Sequence, residues 1–469
     1  MPIEDTIAAI ATAPGSAGVA IIRISGPNAL DIGSGVFCSQ SKIQTYEHAK
    51  MYYGRMVSEK GETIDDVFFV YLKGPKTYTG EDTVEFHCHG GVLIVRLALE
   101  AVLKQGARLA LPGEFTKRAF LNNRIDLGQA AAVSDLINAS SVAALRNARG
   151  RLEGGLSRKI NLAKGPLIDV ISRLDAELDF PDEGDVREIN KVELEKSIKS
   201  IEKNLEYITL GYKAGVALKE GVRTVILGRP NAGKSSLLNL LLREERAIVT
   251  AEPGTTRDVI EEMVVIRGIG IRLADTAGIR EGAGKVESVG IERAKEKAKN
   301  AGIILYVTDG SADATEFAKD TETIKSLKTE GRTIVILNKV DTIGDKRKCL
   351  QDGQMVFGKI TDKIVLLSAT KNEGLKELED AICAAAGQGG EMFFEAEAGE
   401  VITTLREKTA VEKAMAALSR ALKLIDDNGA TELIAFEIKA ALDALGEITG
   451  ETTPEEILDN IFSNFCIGK

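Results

Sequence analysis

The 469-residue chain predicts a multidomain protein of class α/β and α, with an N-terminal α/β domain, a helical domain, and a further α/β domain inserted into the helical one. Three observations carry that expectation. The length exceeds one ordinary domain and suits about three. Ala, Leu, Glu, Lys and Arg with apolar residues at three- and four-residue spacing dominate two separate stretches, 129–179 and 400–445. Between those stretches strands and helices alternate, the pattern of a parallel sheet with crossover helices.

In chain order, residues 1–118 form the first domain. Val19-Ala20-Ile21-Ile22-Arg23-Ile24 and Asp66-Val67-Phe68-Phe69-Val70-Tyr71-Leu72 read as strands, and a helix is predicted over 92–104 after His89-Gly90-Gly91. Residues 119–215 are the first part of the helical domain, interrupted at Phe180-Pro181-Asp182-Glu183-Gly184. Residues 216–385 are the inserted domain, and 386–469 return to helix after Gly387, Gly389 and Gly390. Insertion at a surface loop is well tolerated, which makes this the simplest arrangement.

Hydrophobic residues make up 44% and charged residues 28%, enough apolar material for several cores in a soluble protein. No apolar run approaches the ~20 residues that span a bilayer. The start, Met1-Pro2-Ile3-Glu4-Asp5-Thr6, lacks a basic segment followed by an apolar one, so the expectation is a cytoplasmic enzyme without a membrane partner. Cys38, Cys88, Cys349, Cys383 and Cys466 are scattered, which fits neither a disulfide framework nor a zinc ribbon. The net charge of −10 makes the chain a poor unaided binder of polyanions. One cluster, Arg146, Arg149, Arg151, Arg158, Lys159 and Lys164, could form a basic patch, and reads equally well as the solvated face of a helix.

The strand Thr224-Val225-Ile226-Leu227 runs into Gly228-Arg229-Pro230-Asn231-Ala232-Gly233-Lys234-Ser235 and then into the helical run Ser236-Leu237-Leu238. Strand, GxxxxGK[ST] loop and helix together make a P-loop. The glycines let successive N–H groups turn toward phosphates, Lys234 neutralises them, and Ser235 is a Mg²⁺ ligand. Thr255-Thr256-Arg257-Asp258 follows, with Thr256 as the expected switch ligand to Mg²⁺. In Asp275-Thr276-Ala277-Gly278 the carboxylate can reach the metal and the Gly278 N–H can sense the γ-phosphate. Asn338-Lys339-Val340-Asp341 and Ser368-Ala369 end two further apolar strands. An Asp carboxylate accepts from two N–H groups that guanine has and adenine lacks, and a site built for them rejects the wrong base. The set, in this order, implies a Ras-like P-loop G domain that takes GTP rather than ATP.

Ile279 follows Gly278, where many such proteins place a glutamine to orient water. Catalysis must therefore recruit another group. Asn231 with oxygens of Thr250 and Thr255 could hold a monovalent cation beside the phosphates. From spacing alone Glu287 reads first as a solvated carboxylate at a helix start, and second as a residue that positions water.

Over its whole length the chain resembles the bacterial MnmE (TrmE) family of tRNA-modification GTPases. The resemblance rests on Asp5-Thr6-Ile7-Ala8-Ala9, Arg23-Ile24-Ser25-Gly26, Thr79-Gly80-Glu81-Asp82, Pro112-Gly113-Glu114-Phe115, the P-loop and the terminal Phe465-Cys466-Ile467-Gly468-Lys469. It implies a homodimer whose N-terminal domain binds a formyl- or methylene-tetrahydrofolate. It also implies a flavoprotein partner, MnmG, in a heterotetrameric or larger complex. Together they would place a carboxymethylaminomethyl or aminomethyl group on the wobble uridine of certain tRNAs. The folate contacts it implies are Arg23, Glu85, Arg124 and Lys469. Glu85 suits the N–H groups of a pterin; Arg124 stands where relatives often carry lysine, keeping the charge but changing the hydrogen-bond geometry. The implied K⁺ ligands are Asn231, Thr250, Glu252 and Thr255, filling a site that pairs the G domains, with Glu287 as the water-positioning acid. Cys466 is implied to be required for modification, as a nucleophile or acid/base thiol.

Other readings of the cysteines are weaker. Cys466-Ile467-Gly468-Lys469 is no prenylation signal, since Lys is not an accepted last residue and no polybasic stretch precedes it. In His87-Cys88-His89 a strand would put the two histidines on one face and Cys88 on the other, too few ligands for zinc. A ribosome-assembly switch would need a basic RNA-binding domain, and a membrane-remodelling GTPase an amphipathic or lipidated element; neither is evident.

Overall fold

The computed structural model describes residues 5–40, 42–179, 190–244, 262–274, 296, 298, 299, 301–327, 331–361, 363–388, 399–463 and 465–468. The chain divides into two compact units, Met1–Ser134 with Gly446–Lys469, and Asp135–Leu445.

The first unit is built on seven strands: β1 (Ile7–Ile10), β2 (Ala17–Ser25), β3 (Phe37–Ser39), β4 (Met51–Val57), β5 (Thr63–Leu72), β6 (Thr83–Gly90) and β7 (Arg108–Leu109). Their order is β3-β4-β5-β6-β2-β1-β7, antiparallel except for the β1/β7 pair. Alternation decides the faces. Ile22 and Ile24, Val84 and Phe86, and Val67 and Phe69 are buried together, under the helix Val92–Lys104, which packs on β1, β2, β5 and β6. The intervening positions fall on the opposite face, where Arg23 pairs in register with Glu85 and Ile21 with His87. Cys88 is buried, and the two histidines lie on the other side of the pleat.

The last residues belong to this unit. From Gly446 onward the chain groups with the N-terminal strands. The reason is aromatic: Phe462 lies 6.4 Å from Phe120 and 5.5 Å from Phe465, ring to ring. Lys117 also binds Asp459 at 2.5 Å.

The second unit joins helices to a six-stranded sheet of β8 (Val222–Gly228), β9 (Glu262–Ile266), β10 (Ile269–Leu273), β11 (Ile303–Asp309), β12 (Arg332–Asn338) and β13 (Lys363–Leu366). The order is β13-β12-β11-β8-β10-β9. β8 and β10 to β13 pair in parallel, and Ile303–Val307 of β11 are wholly buried, as a strand covered on both faces requires. β9 departs from the all-parallel expectation. It pairs antiparallel with β10 through a two-residue turn, Arg267 (φ 50°) and Gly268 (φ 85°), and forms the edge.

The helices outside the inserted domain are Val142–Leu152, Gly155–Asp179, Lys191–Leu210, Tyr212–Glu220 and Leu405–Asp426, with Thr431–Thr449 crossing the unit boundary in sequence. The stretches before and after the inserted sheet meet at Gly150 and Gly399, where a Cβ on Gly399 would sit 2.0 Å from the Gly150 carbonyl carbon. Arg151 clamps the junction: its buried guanidinium donates to Thr403 and Glu407 and lies 3.5 Å from Asp135. Two members of the basic cluster, Arg151 and Lys164, are buried structural cations, whereas Arg146, Arg149 and Arg158 are exposed. Arg149 is exposed but paired with Glu153, and Lys159 binds Glu400. Among the described residues no helix is long and apolar enough to cross a membrane.

Candidate functional site

The parallel sheet ends β8, β11, β12 and β13 on the same side, so the loops after them meet. β8 delivers Gly228 (φ 141°), where a Cβ would strike the Val307 carbonyl oxygen at 2.0 Å. Asn231 (φ 62°) and Gly233 (φ 101°) also take the left-handed region, and the helix Lys234–Glu244 begins at once. Only glycine serves at 233, because a Cβ there would lie 2.0 Å from Asn338 Nδ2. Lys234 Nζ donates to the carbonyls of Gly228 (2.9 Å) and Arg229 (2.7 Å). Burial pushes its ammonium below the ordinary lysine value. Ser235 and Ser236 occupy the first turn of this helix, the end whose dipole favours an anion.

The loops from β12 and β13 form the other wall. Asn338 is buried; its Nδ2 donates to the Ala232 carbonyl (2.9 Å) and its Oδ1 accepts from Ala369 N–H (3.1 Å). Lys339 stands at φ 64° with its ammonium 2.8 Å from Asp309. Asp341 accepts from the Ser368 hydroxyl at 2.6 Å, and that bond holds its carboxyl below the usual carboxylate range. A cleft of about 210 Å³ lies between the walls, lined by Gly233, Ser236, Asn338, Lys339, Asp341, Thr342 and Thr370. Asn231, Gly233, Lys234, Ser235, Ser236, Asn338, Lys339, Asp341, Ser368 and Ala369 thus share one end of the sheet. Thr250, Glu252, Thr255, Thr256, Asp275, Thr276, Gly278, Ile279 and Glu287 lie outside the described residues.

Beneath the phosphate loop sits a group that the motif reading missed. Arg229 reaches into the helix Ala314–Ser326, placing Nε 2.8 Å from Asp320 Oδ1 and Nη2 3.0 Å from Oδ2. Asp320 is fully buried and also accepts from Tyr306 OH (2.9 Å) and Thr308 Oγ1 (2.6 Å).

In the first unit Arg23 Nε donates to Glu85 at 2.8 Å, and the guanidinium lies 5.8 Å over the Phe115 ring. His87 Nε2 is 3.5 Å from the other Glu85 oxygen. His89 is engaged elsewhere, 2.7 Å from Asp65. Exposed Arg124 lies against Gly80, in the loop that carries Tyr78 and Thr79. Tyr78 OH meets Thr116 Oγ1 at 2.9 Å, and burial raises its phenol above the ordinary value. Exposed Cys466 offers its carbonyl to Gly113 N–H at 3.4 Å, two residues before Phe115. Lys469 lies outside the described residues.

Four of the quoted segments converge on Arg118, also missed in the sequence because nothing there marks it as buried. Its guanidinium donates to Asp5 Oδ1 (2.7 Å), Glu114 Oε1 (3.0 Å) and Glu81 Oε1 (3.2 Å), and Ser25 Oγ binds Glu81 at 2.7 Å. Burial opposes ionisation of Glu114, but bonds from Arg108, the Leu111 N–H and Arg118 outweigh it and hold the carboxyl low.

Both parts of the chain match models of one family. The model of the MnmE helical domain matches residues 127–466, and that of the GTP-binding protein TrmE N-terminus matches residues 6–124. A protein of Alkaliphilus oremlandii (strain OhILAs) named tRNA modification GTPase MnmE is 43% identical over 472 residues, covering 100% of both chains. Its namesake in Clostridioides difficile (strain 630) is 41% identical over 471 residues, again covering 100% of each.

Proposed function

Since the chain belongs to the MnmE family of tRNA modification GTPases, we propose that its GTP hydrolysis drives addition of a carboxymethylaminomethyl or aminomethyl group to the wobble uridine of certain tRNAs. It does so as a cytoplasmic homodimer working with the flavoprotein MnmG. The observation that supports the reading best is the single side chain, Asn338, that joins the phosphate loop at Ala232 to the base motif at Ala369. The loop and the base wall are thereby built as one site for a purine nucleoside triphosphate.

Within it, the glycines at 228 and 233 let the loop backbone pass close to Val307 and Asn338 and turn its N–H groups toward a phosphate, and Lys234 supplies the positive charge. Asp341 accepts from the guanine N–H groups, with Ser368 and Ala369 completing the base wall. Ser236, Thr276 and Gly278 contact the nucleotide. Ser235 and Thr256 offer the hard oxygens that suit Mg²⁺, which adds charge at the phosphate oxygens. Asn231, Thr250, Glu252 and Thr255 offer oxygens that suit K⁺, and Glu287 positions the attacking water. In the first unit the carboxylate of Glu85, the cation of Arg23 and the Phe115 ring form a donor set that suits the N–H groups and flat ring of a tetrahydrofolate. Arg124 and Lys469 add positive charge for its acidic tail. Cys466 acts in the modification chemistry beside that site.

GTP turnover is expected to be much faster in K⁺ than in Na⁺; equal rates would remove the cation from the mechanism. Mass spectrometry of wobble-uridine nucleosides from a strain lacking the gene tests the rest. Unchanged nucleosides would leave GTP hydrolysis alone standing. A Cys466→Ser protein with intact GTPase activity should fail to restore them.

A further inference from the structure

The strand, helix and loop around Arg229 hold an ion pair, half-buried on the Arg229 side and wholly buried at Asp320, that the proposed GTP chemistry does not use. Asp320 has four donors around its two oxygens: Arg229 Nε and Nη2, Tyr306 OH and Thr308 Oγ1. Four donors fill the acceptor sites of a carboxylate, and the guanidinium meets it as a two-pronged fork. The remaining guanidinium nitrogen, Nη1, donates to Glu316 at 3.0 Å. Both partners of Asp320 other than Arg229, Tyr306 and Thr308, come from β11, so Arg229 is the cation that the phosphate loop contributes to an otherwise finished core. Phe317, Ile324, Leu337 and Phe357 fill that layer.

A buried ion pair adds little stability over a well-packed apolar substitute, whereas its planar geometry specifies position. The position specified here matters, because the Arg229 carbonyl is one of two that hold the Lys234 ammonium, at 2.7 Å. We propose that Asp320 is a positioning residue for GTP binding: through Arg229 it fixes the first peptide of the phosphate loop and so presents Lys234 and the loop N–H groups in the geometry that a triphosphate requires. The proposal rests on the GTP reading of that loop. A loop set in advance spares the ligand the cost of ordering it. The effect falls equally on substrate and transition state, so it is felt in KM and not in kcat.

The test is steady-state GTP hydrolysis and binding of fluorescent GDP by full-length Asp320→Asn and Arg229→Lys proteins, each with its thermal midpoint. Asn keeps the shape of Asp320 and removes its charge; Lys keeps the charge of Arg229 and removes the fork. For Asp320→Asn, KM and the GDP dissociation constant should rise about tenfold with kcat within about twofold. Arg229→Lys should weaken GDP binding several-fold with its thermal midpoint near that of the wild type. A purely structural Asp320 would lower the midpoint and leave KM of the folded protein unchanged, which overturns the proposal. If Asp320→Asn does not fold, Arg229→Lys decides: unaltered GDP affinity overturns it. Wild-type protein that neither binds nor hydrolyses GTP would instead remove the functional reading itself.

Discussion

Asp341 and Ser368 come from loops after different strands, and one hydrogen bond of 2.6 Å joins them. That bond favours the ionised carboxylate and holds Asp341 below its ordinary value. Only the ionised form accepts from both guanine N–H groups, so guanine affinity falls as pH drops through the lowered pKa. Removing the donor returns the carboxyl toward its usual range, and the loss must then begin at higher pH. Ser368→Ala should therefore shift the acid limb of GDP affinity upward, toward the ordinary carboxylate value, as titration with fluorescent GDP would show. Coincident limbs for wild type and variant would mean that Ser368 does not tune Asp341. Residues of this kind were legible in the sequence because the chemistry demands a fixed type at a fixed place after a strand. Asp320 and Arg118 were not. An acid in an ordinary amphipathic helix and an arginine in the helix that follows a Pro-Gly carry no mark of burial until distant strands close over them.

At the level of elements, the helices Val142–Leu152 and Leu405–Asp426 are joined by Arg151 and Glu407, both wholly buried. Glu407 also closes a capping box with Thr404, which fixes where the second helix starts. Burial pushes the Glu407 carboxyl up, but the Arg151 charge and the Thr403 N–H outweigh it and hold it down. A depressed carboxyl stabilises the fold above its unfolded pKa and ceases to do so as pH falls through the folded one. Arg151→Met should destabilise the second unit by about 3–5 kcal/mol, since it leaves a buried charge without a partner. Adding Glu407→Gln should recover more than half of that loss, because the amide needs no counter-ion and still reaches the cap. Denaturant unfolding of the two proteins near neutral pH checks this; a double variant no more stable than Arg151→Met would refute it. Periodicity identified several elements well, including the helix over 92–104 and the strand that enters the phosphate loop. It missed the β9 edge, because Arg267-Gly268 is a weak turn signal and antiparallel pairing has no signature in a short apolar strand.

At the scale of the molecule, the chain's last segment returns to the N-terminal strands, and composition alone could not show this. Helical residues near 455–463 look alike whether they close a bundle or cap a sheet domain. The difference lies in three aromatic rings, Phe120, Phe462 and Phe465, that need one another for burial. Backbone geometry fits them together: Gly113 stands at φ 66°, and a Cβ on it would lie 2.5 Å from the Phe462 carbonyl. Gly468 is likewise bare where the chain passes the Ile10 carbonyl, since a Cβ there would lie 2.2 Å away. The tail that carries Cys466 is thus held against the loop preceding Phe115, and Phe115 underlies Arg23. Phe462 is the anchor, 2% exposed, whereas Ile467 is 55% exposed. Phe462→Ala should cost the first unit about 3–5 kcal/mol through lost burial and a residual cavity. Ile467→Ala should change stability by about 0.5 kcal/mol or less. Calorimetry of the two full-length variants distinguishes an anchored tail from a loosely apposed one: equal, small shifts for both substitutions would mean that the aromatic cluster does not hold the C-terminal segment in place.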